Sequence, residues 1–461
     1  MSDETAGDRD DGPKLKRVMG PWLLLLFIVG DVLGTGIYAL TGKVANEVGG
    51  AVWLPFLVAF LVAVVTACSY LELVTKYPKA AGAALYTQKA FGVHFVTFLV
   101  AFAVMSSGIT SASTAARAFA ENLSGGFGLG LGEAAILAVS LGFMVLLGAI
   151  NYRGVGESVK LNVVFTCIEL TGLMIVIAIG AWALSAGQGD IGRAFEFQPP
   201  GDRGMVWAVI AGTTLAFFAM VGFEDSVNMA EESRNPTRIF PKVLMGGLLL
   251  AAAIYLLVSI VAIALVPAER LGEGDTPLLQ VVEAGAPGFP LSVFGLITMF
   301  AVGNSALINM LMASRLVYGM SRERVLPPMM GLVHSVRRSP YVAIGFTTLL
   351  ACGLITFVGA VPDLGGTTAL LLLGVFTIVN VAVLILRGDH VEHEHFRSPG
   401  WLPVVGALSC GFLVGPWTGR DANQYAIAGV LLAIGVVLWA ATWMFMRSQG
   451  QLPGDAGQAA E

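Results

Sequence analysis

Charge is what this sequence has least of. Only 12% of its 461 residues are Asp, Glu, Lys or Arg, against about 25% in a soluble domain. With 56% hydrophobic residues and a mean hydropathy of +0.79, a chain this long would expose too much apolar surface to water, so lipid must be its solvent. Basic residues form no stripe and the formal net charge is −5, which argues against nucleic acid as a partner. The four cysteines, Cys68, Cys167, Cys352 and Cys410, sit in apolar stretches without disulfide or metal spacing, and read as small buried hydrophobes. No histidine falls inside an apolar run except His94 at an edge, and no nucleophile–base set is present. An enzyme, a metal and a cofactor are therefore not expected.

What is there is a series of long apolar runs. About 20 such residues cross a bilayer as a helix. Runs of that size lie at about 21–45, 51–75, 93–119, 133–151, 160–186, 205–229, 241–266, 288–319, 341–360, 364–386, 401–418 and 424–446. The pattern predicts an all-α integral membrane protein of about twelve transmembrane helices, the short eleventh run and the pair around Pro362 being the least regular. A polar tail over 1–20, a membrane domain over 21–447 and a second polar tail over 448–461 complete the organisation. The first apolar run is too long for a signal-peptide core. Arg153 and Lys160, then Arg234, Arg238 and Lys242, then Arg322, Arg324, Arg337 and Arg338 all fall on one side, while segments on the other, such as Glu269 to Asp275, are neutral or acidic. That asymmetry places both termini in the cytoplasm, with the chain as a multi-pass protein of the cell membrane.

Two spans depart from a regular helix. The first reads Gly30-Asp31-Val32-Leu33-Gly34-Thr35-Gly36-Ile37, and the sixth reads Phe217-Phe218-Ala219-Met220-Val221-Gly222-Phe223-Glu224-Asp225. Glycine weakens a helix by about 1 kcal/mol relative to alanine, and unwound backbone at membrane depth is tolerated only where it lines a cavity. The interruptions are five spans apart, so they occupy corresponding places in two five-helix repeats, and an odd number of spans inverts the second. Inverted repeats with discontinuous first helices point to a transporter's binding site. Close-packed glycine in an intact helix is the alternative.

Four segments carry a resemblance to the amino acid–polyamine–organocation transporter superfamily, especially its bacterial amino acid permeases and cationic amino acid transporter branch. They are Gly30–Tyr38; Pro78-Lys79-Ala80-Ala81-Gly82-Ala83-Ala84-Leu85-Tyr86 with Phe91-Gly92; Gly222-Phe223-Glu224 through Glu231-Glu232-Ser233-Arg234-Asn235-Pro236; and Ser314-Arg315-Leu316, Tyr318 and Met320-Ser321-Arg322 through Leu326-Pro327. The second resembles the inner loop after span 2, with Ala81 in place of one of the usual paired glycines. The resemblance implies a LeuT-like fold of 5+5 inverted repeats, about 21–186 and 205–387, with helices 1 and 6 unwound at mid-membrane and two extra C-terminal helices over about 401–447.

It also implies a site. Gly34, Thr35, Gly36 and Ile37 would hold the carboxylate of an amino acid on free amides. Carbonyls near Phe217, Phe218 and Met220, partly with Val32, would receive its ammonium. Phe218 aligns with a gating aromatic, though a span aromatic is also ordinary packing. Glu224 is costly in mid-membrane if charged and unpaired, and so reads as functional. It could take and release a proton, bind a cationic side chain, or simply hydrogen-bond the frayed helix. Asp31 has the same proton or structural alternatives.

Glu169 departs from the family. Many bacterial relatives carry a lysine here, seven residues after the equivalent of Asn162, where sodium-coupled members of the fold place an ion. A glutamate beside Thr166, facing Asn304 and Ser305, could accept a proton, help bind a cation or pair with a buried base, so H+ is the expected coupling ion and Na+ stays open. His390, His393 and His395 with Glu392 and Glu394 read as solvated loop charge. Arg234-Asn235-Pro236 and Arg322 through Arg324 read either as an inner gate's polar network or as anchors of helix ends. The function expected is a permease: secondary active symport of a cationic or small neutral amino acid. Exchange and non-transporting sensing on the same fold are the alternatives; a channel would need a charged ring or filter sequence that does not occur.

Overall fold

The computed structural model describes residues 20–448 other than 79–81, 154–157, 200–203, 231–232, 234, 323–325 and 338. Of the motif residues above, Lys79, Ala80, Ala81, Glu231, Glu232, Arg234, Arg324 and Arg338 lie outside the described residues, as do tails 1–19 and 449–461.

The chain is almost wholly helical, with an isolated antiparallel bridge between Gly49 and Phe197. Lipid offers backbone N–H and C=O groups no partner, so each span closes its hydrogen bonds within itself. In chain order the helices are α1 (Pro21–Val32), α2 (Thr35–Val48), α3 (Trp53–Lys76), α4 (Gly82–Phe91), α5 (His94–Gly126), α6 (Glu133–Arg153), α7 (Ser158–Ser185) and α8 (Met205–Ala216). Then come α9 (Pro236–Leu265), α10 (Ala268–Leu271), α11 (Pro277–Gly285), α12 (Leu291–Arg322), α13 (Tyr341–Phe357), α14 (Val361–Leu386), α15 (Leu402–Val414) and α16 (Ala422–Ser448). Proline opens α1, α9, α11, α14 and α15, where its missing N–H would have had no intrahelical partner.

Ten segments among the described residues are long and apolar enough to cross a membrane, counting α1 with α2 as one and continuing α8 to Val227. The runs expected at 341–360 and 401–418 form the shorter apolar helices α13 and α15, of 17 and 13 residues. Pro362 starts α14 rather than interrupting it. The segment resembling an inner loop after span 2 is in large part helix, α4, from Gly82 onward.

Small residues set how close the helices come. α5 packs along α12 and α14, and at its far end Gly126 meets Gly295, where a Cβ on Gly126 would stand 2.9 Å from the other's Cα. This is the close backbone approach that drives helix association where lipid removes the hydrophobic incentive. α1 lies against α7 and α9, and α2 against α8.

Both expected interruptions are present. α1 ends at Val32, and α2 restarts at Thr35 after Gly34 leaves helical geometry with ψ −146°. α8 ends at Ala216. A 3-10 turn over Phe217–Met220 follows, then extended Val221, Gly222 at φ +119°, and a second 3-10 turn over Asp225–Met229. The φ of Gly222 is one that side-chain-bearing residues rarely adopt. Asn235, in the left-handed region at φ 51°, turns the chain into Pro236 and α9; Asn tolerates that conformation better than most residues.

Candidate functional site

The two interruptions meet each other backbone to backbone. A Cβ on Gly36 would fall on the main chain of Ala219, and one on Gly222 would stand 2.9 Å from the carbonyl of Asp31. The contact therefore exists because both positions lack side chains. Gly34 is closed over by the Ser305 hydroxyl and Gly30 by that of Thr166, which brings α12 and α7 against the first break.

The expected carboxylate cradle, Gly34, Thr35, Gly36 and Ile37, forms the first turn of α2 and is buried throughout. A helix start leaves its first N–H groups without intrahelical partners and carries partial positive charge. The Thr35 hydroxyl is buried with no partner among the described residues. On the facing side, Phe217, Phe218 and Met220 are buried in the 3-10 turn, and the Phe218 carbonyl accepts only a long 3.4 Å bond from Val221 N–H. The Val32 carbonyl already accepts from the Tyr255 hydroxyl, which leaves it one further lone pair. The Phe218 ring packs against Gly365 of α14.

Glu224 is buried and its Oε2 accepts from the Gly222 N–H at 2.9 Å. Asp225, which the sequence reading passed over, is buried beside it. The same cost of an acid in mid-span that marked Glu224 would have marked its neighbour. Asp31 completes this group from α1, and its Oδ2 has no partner among the described residues.

Glu169 sits in a second cluster. It is fully buried, and neither carboxyl oxygen has a partner among the described residues; its backbone carbonyl accepts from Tyr38 Oη at 3.2 Å. Two helical turns away, Asn162 Nδ2 donates to Asn304 Oδ1 at 3.2 Å. Thr166 Oγ1, Asn304 Nδ2 and Ser305 Oγ, with Asn162 Oδ1, are buried and have no partner among the described residues. An unsatisfied buried polar atom costs about 1–3 kcal/mol, and several of them gather at the junction of α1, α7 and α12. Tyr38 and Tyr255, two buried hydroxyls that tie the first break to α7 and α9, carried no sequence signal.

Below the breaks lie two neighbouring internal spaces of about 10 Å³ each, room for one water and far less than an amino acid needs. Glu224 and Asp225 line both.

On the side of α3 that carries Lys76, a polar knot holds the α14–α15 loop. Arg387 grips Glu72 with two hydrogen bonds of 2.8 Å, and Ser398 N–H and Oγ donate to the same carboxylate at 3.0 and 2.8 Å. Lys76 donates to the Leu386 carbonyl at 2.6 Å, and Tyr77 donates to Asp389. The Tyr77 hydroxyl, and after it Lys76, hold the Asp389 carboxyl below the usual carboxylate range. His393 reaches the Thr75 carbonyl at 3.1 Å and is 6.3 Å, ring to ring, from His395. His390 and His393 are exposed, and His395 Nδ1 lies 3.4 Å from the His393 carbonyl.

The chain is similar to known proteins over most of its length. A family model described as amino acid permease matches residues 19–446. The chain is 30% identical over 352 residues to cationic amino acid transporter 9, chloroplastic, of Arabidopsis thaliana, covering 72% of this chain and 60% of that protein. It is 27% identical to the methylthioribose transporter of Bacillus subtilis, covering 95% of this chain and 94% of that one. To a branched-chain amino acid permease of the same organism it is 25% identical, covering 89% of each. The match thus spans less than two thirds of the plant relative's length and nearly all of the bacterial ones.

Proposed function

Because this chain belongs to the amino acid permease family, within the amino acid–polyamine–organocation superfamily, we propose that it is a secondary active transporter that moves an amino acid across the cell membrane by alternating access. The observation that carries the reading is the contact of Gly36 with Ala219 and of Asp31 with Gly222, which sets a helix N-terminus opposite freed carbonyls at one depth. A zwitterion needs both: amides of Gly34–Ile37 for its carboxylate, and carbonyls of Phe217, Phe218 and Met220 with Val32 for its ammonium. Two five-helix repeats of inverted topology would supply this pairing, with α13 and α15 bringing the spans to twelve and both termini cytoplasmic.

Proton coupling is favoured over sodium coupling by Glu169. A carboxyl without a partner in a buried setting is stable when protonated, and Asn162, Thr166, Asn304 and Ser305 supply neutral donors and acceptors around it. Protonation changes the charge between α1 and α7, and so would bias which side of the site opens.

The test is uptake of a labelled amino acid panel into proteoliposomes, with a proton gradient, a sodium gradient or neither. Accumulation driven by the proton gradient alone is the result expected. Accumulation only with sodium would overturn the coupling, binding without flux would favour a sensor, and flux only against internal amino acid would favour an exchanger.

A further inference from the structure

We infer that the loop between α12 and α13 is a docking surface for an anionic phospholipid, with Arg337 and Arg153 on the headgroup phosphate and the apolar face of the loop against the acyl chains. The inference goes beyond the transporter reading and does not depend on what the chain carries.

This stretch is one-sided in charge. From Arg324 to Pro362 it holds three arginines, Arg324, Arg337 and Arg338, and no Asp or Glu. Its apolar side chains are sorted as well. Leu326 is buried, and so is Met330 in the 3-10 turn over Pro328–Gly331. Met329, Leu332, Val333 and Val336 point outward, and Val336 is 83% exposed. Apolar side chains gathered on one exposed face mark an interaction surface, and the length of the next helix says which. As a crossing helix, α13 has 17 residues, about 25 Å of helix, against a hydrocarbon core of about 30 Å. A span that short thins the bilayer around its ends. The exposed apolar side chains of the loop then lie at acyl depth and its bases at phosphate depth.

The bases are set in a fixed frame. Ser339 Oγ donates to the Tyr152 carbonyl at the end of α6 at 2.9 Å, and the Ser339 carbonyl accepts from His334 N–H at 2.9 Å. Arg337 N–H donates to His334 Nδ1 at 3.3 Å, and its guanidinium lies 4.7 Å from the centre of the Tyr152 ring. The His334 ring stands edge-on to Tyr152 at 5.5 Å and to Tyr341 at 6.4 Å. Arg153 follows Tyr152 directly and is exposed. None of the ion pairs found among the described residues involves Arg153 or Arg337. A guanidinium stacked on a ring keeps its N–H edge for two phosphate oxygens, and tyrosines are enriched at headgroup level. A soluble anion would use the bases alone; the apolar face beside them fits a phosphate that carries acyl chains.

The test is the thermal stability of the purified full chain in detergent, titrated with phosphatidylglycerol, phosphatidylcholine or glycerol phosphate at matched ionic strength. Phosphatidylglycerol should raise the Tm saturably, at concentrations where the other two do little. Arg337→Gln should raise the phosphatidylglycerol concentration for half effect about fivefold, and Arg153→Gln with Arg337→Gln about 25-fold. Arg337→Lys should recover most of the loss, since a phosphate also accepts a point charge. Arg238→Gln, which removes an exposed base at the start of α9, should change nothing. Val336→Asp is indifferent if that face meets water, and should weaken phosphatidylglycerol about as much as Arg337→Gln if it meets acyl chains. The inference is overturned if phosphatidylcholine matches phosphatidylglycerol, or if glycerol phosphate does, which would make this a site for soluble anions. It is also overturned if Arg337→Gln and Arg238→Gln act alike, which would leave only diffuse attraction. Should Arg337→Gln fail to fold, Arg337→Lys and Val336→Asp decide.

Discussion

Gly36 and Ala219 touch main chain to main chain, so tightly that the first side-chain carbon at position 36 would overlap the Ala219 Cα. The two residues are far apart in sequence and belong to the two broken spans. Any side chain at 36 therefore pushes the breaks apart before it disturbs anything else.

Gly36→Ala is expected to cut uptake at least about tenfold, since overpacking of this kind costs roughly 1–3 kcal/mol and here falls on the site itself. Gly36→Leu should abolish uptake while the protein still runs as a monodisperse species in detergent. Initial rates in proteoliposomes, normalised to inserted protein, check both. Intact transport by Gly36→Leu would mean the carboxylate is held elsewhere.

Glu169→Gln keeps the shape of the side chain and removes its proton. If Glu169 carries the coupling proton, accumulation against a gradient should fall about tenfold or more and lose its dependence on pH, whereas exchange of labelled for unlabelled substrate should continue. A variant that still concentrates substrate in a pH-dependent way would remove Glu169 from the coupling step. The Asp389 carboxyl in the α14–α15 loop does not confuse this measurement. Its folded-state value is depressed by the Tyr77 hydroxyl and then by Lys76, so the stability it adds is present above the ordinary aspartate range and lost only as pH falls through the depressed value. Between about pH 5 and 8, well above the reference of about 3.9, that contact is unchanged.

How far this site was legible in the sequence depends on distance along the chain. Gly30–Ile37 and Phe217–Asp225 announced themselves locally, because lipid penalises an acid and clustered glycine in one span whatever surrounds them. That the two would form one site followed only from the repeat argument and the family resemblance, and the Gly36–Ala219 contact at its centre was not legible. Tyr255 to Val32 and Tyr38 to Glu169 were not legible, since a tyrosine in an apolar run has no periodicity that names its partner 223 or 131 residues away. The same holds for Glu72, whose burial by Arg387 and Ser398 depends on how a loop 315 residues later folds back. Asp225 was legible and was passed over, because its neighbour Glu224 already filled the motif. The helix α4 was masked by a run, Pro78–Tyr86, that resembles a loop.

Breaking the Glu72–Arg387 pair should destabilise more than removing it. Arg387→Met leaves a carboxylate in a buried place with only Ser398 on it, and losing one partner of a buried pair costs about 3–5 kcal/mol. The double variant Glu72→Gln with Arg387→Met should recover part of that loss. A double-mutant cycle by thermal unfolding in detergent measures the coupling. Additive losses would show that the pair holds the loop no better than its parts.

The last expectation concerns sidedness. Loops carrying Arg153, Arg238 and Arg322 should face the cytoplasm, and the short helices α10 and α11 the outside, because basic residues resist translocation and the segment from Glu269 to Asp275 has one base, Arg270, among three acids. The structure makes the comparison sharp. Glu273 lies beside α10 in an exposed turn, and Glu392 lies in the exposed loop after α14, so neither substitution disturbs a core. In a background with all four native cysteines replaced by serine or alanine, Glu273→Cys should react with a membrane-impermeant maleimide in intact cells. Glu392→Cys should react only after permeabilisation or in inside-out vesicles. The α14–α15 loop and the segment between α9 and α12 must lie on opposite sides if the described spans are all crossed, since an odd number of crossings, α12, α13 and α14, separates them. Equal labelling of both positions in intact cells would mean that α13, the 17-residue helix, does not cross the membrane, and the count of twelve would fall with it.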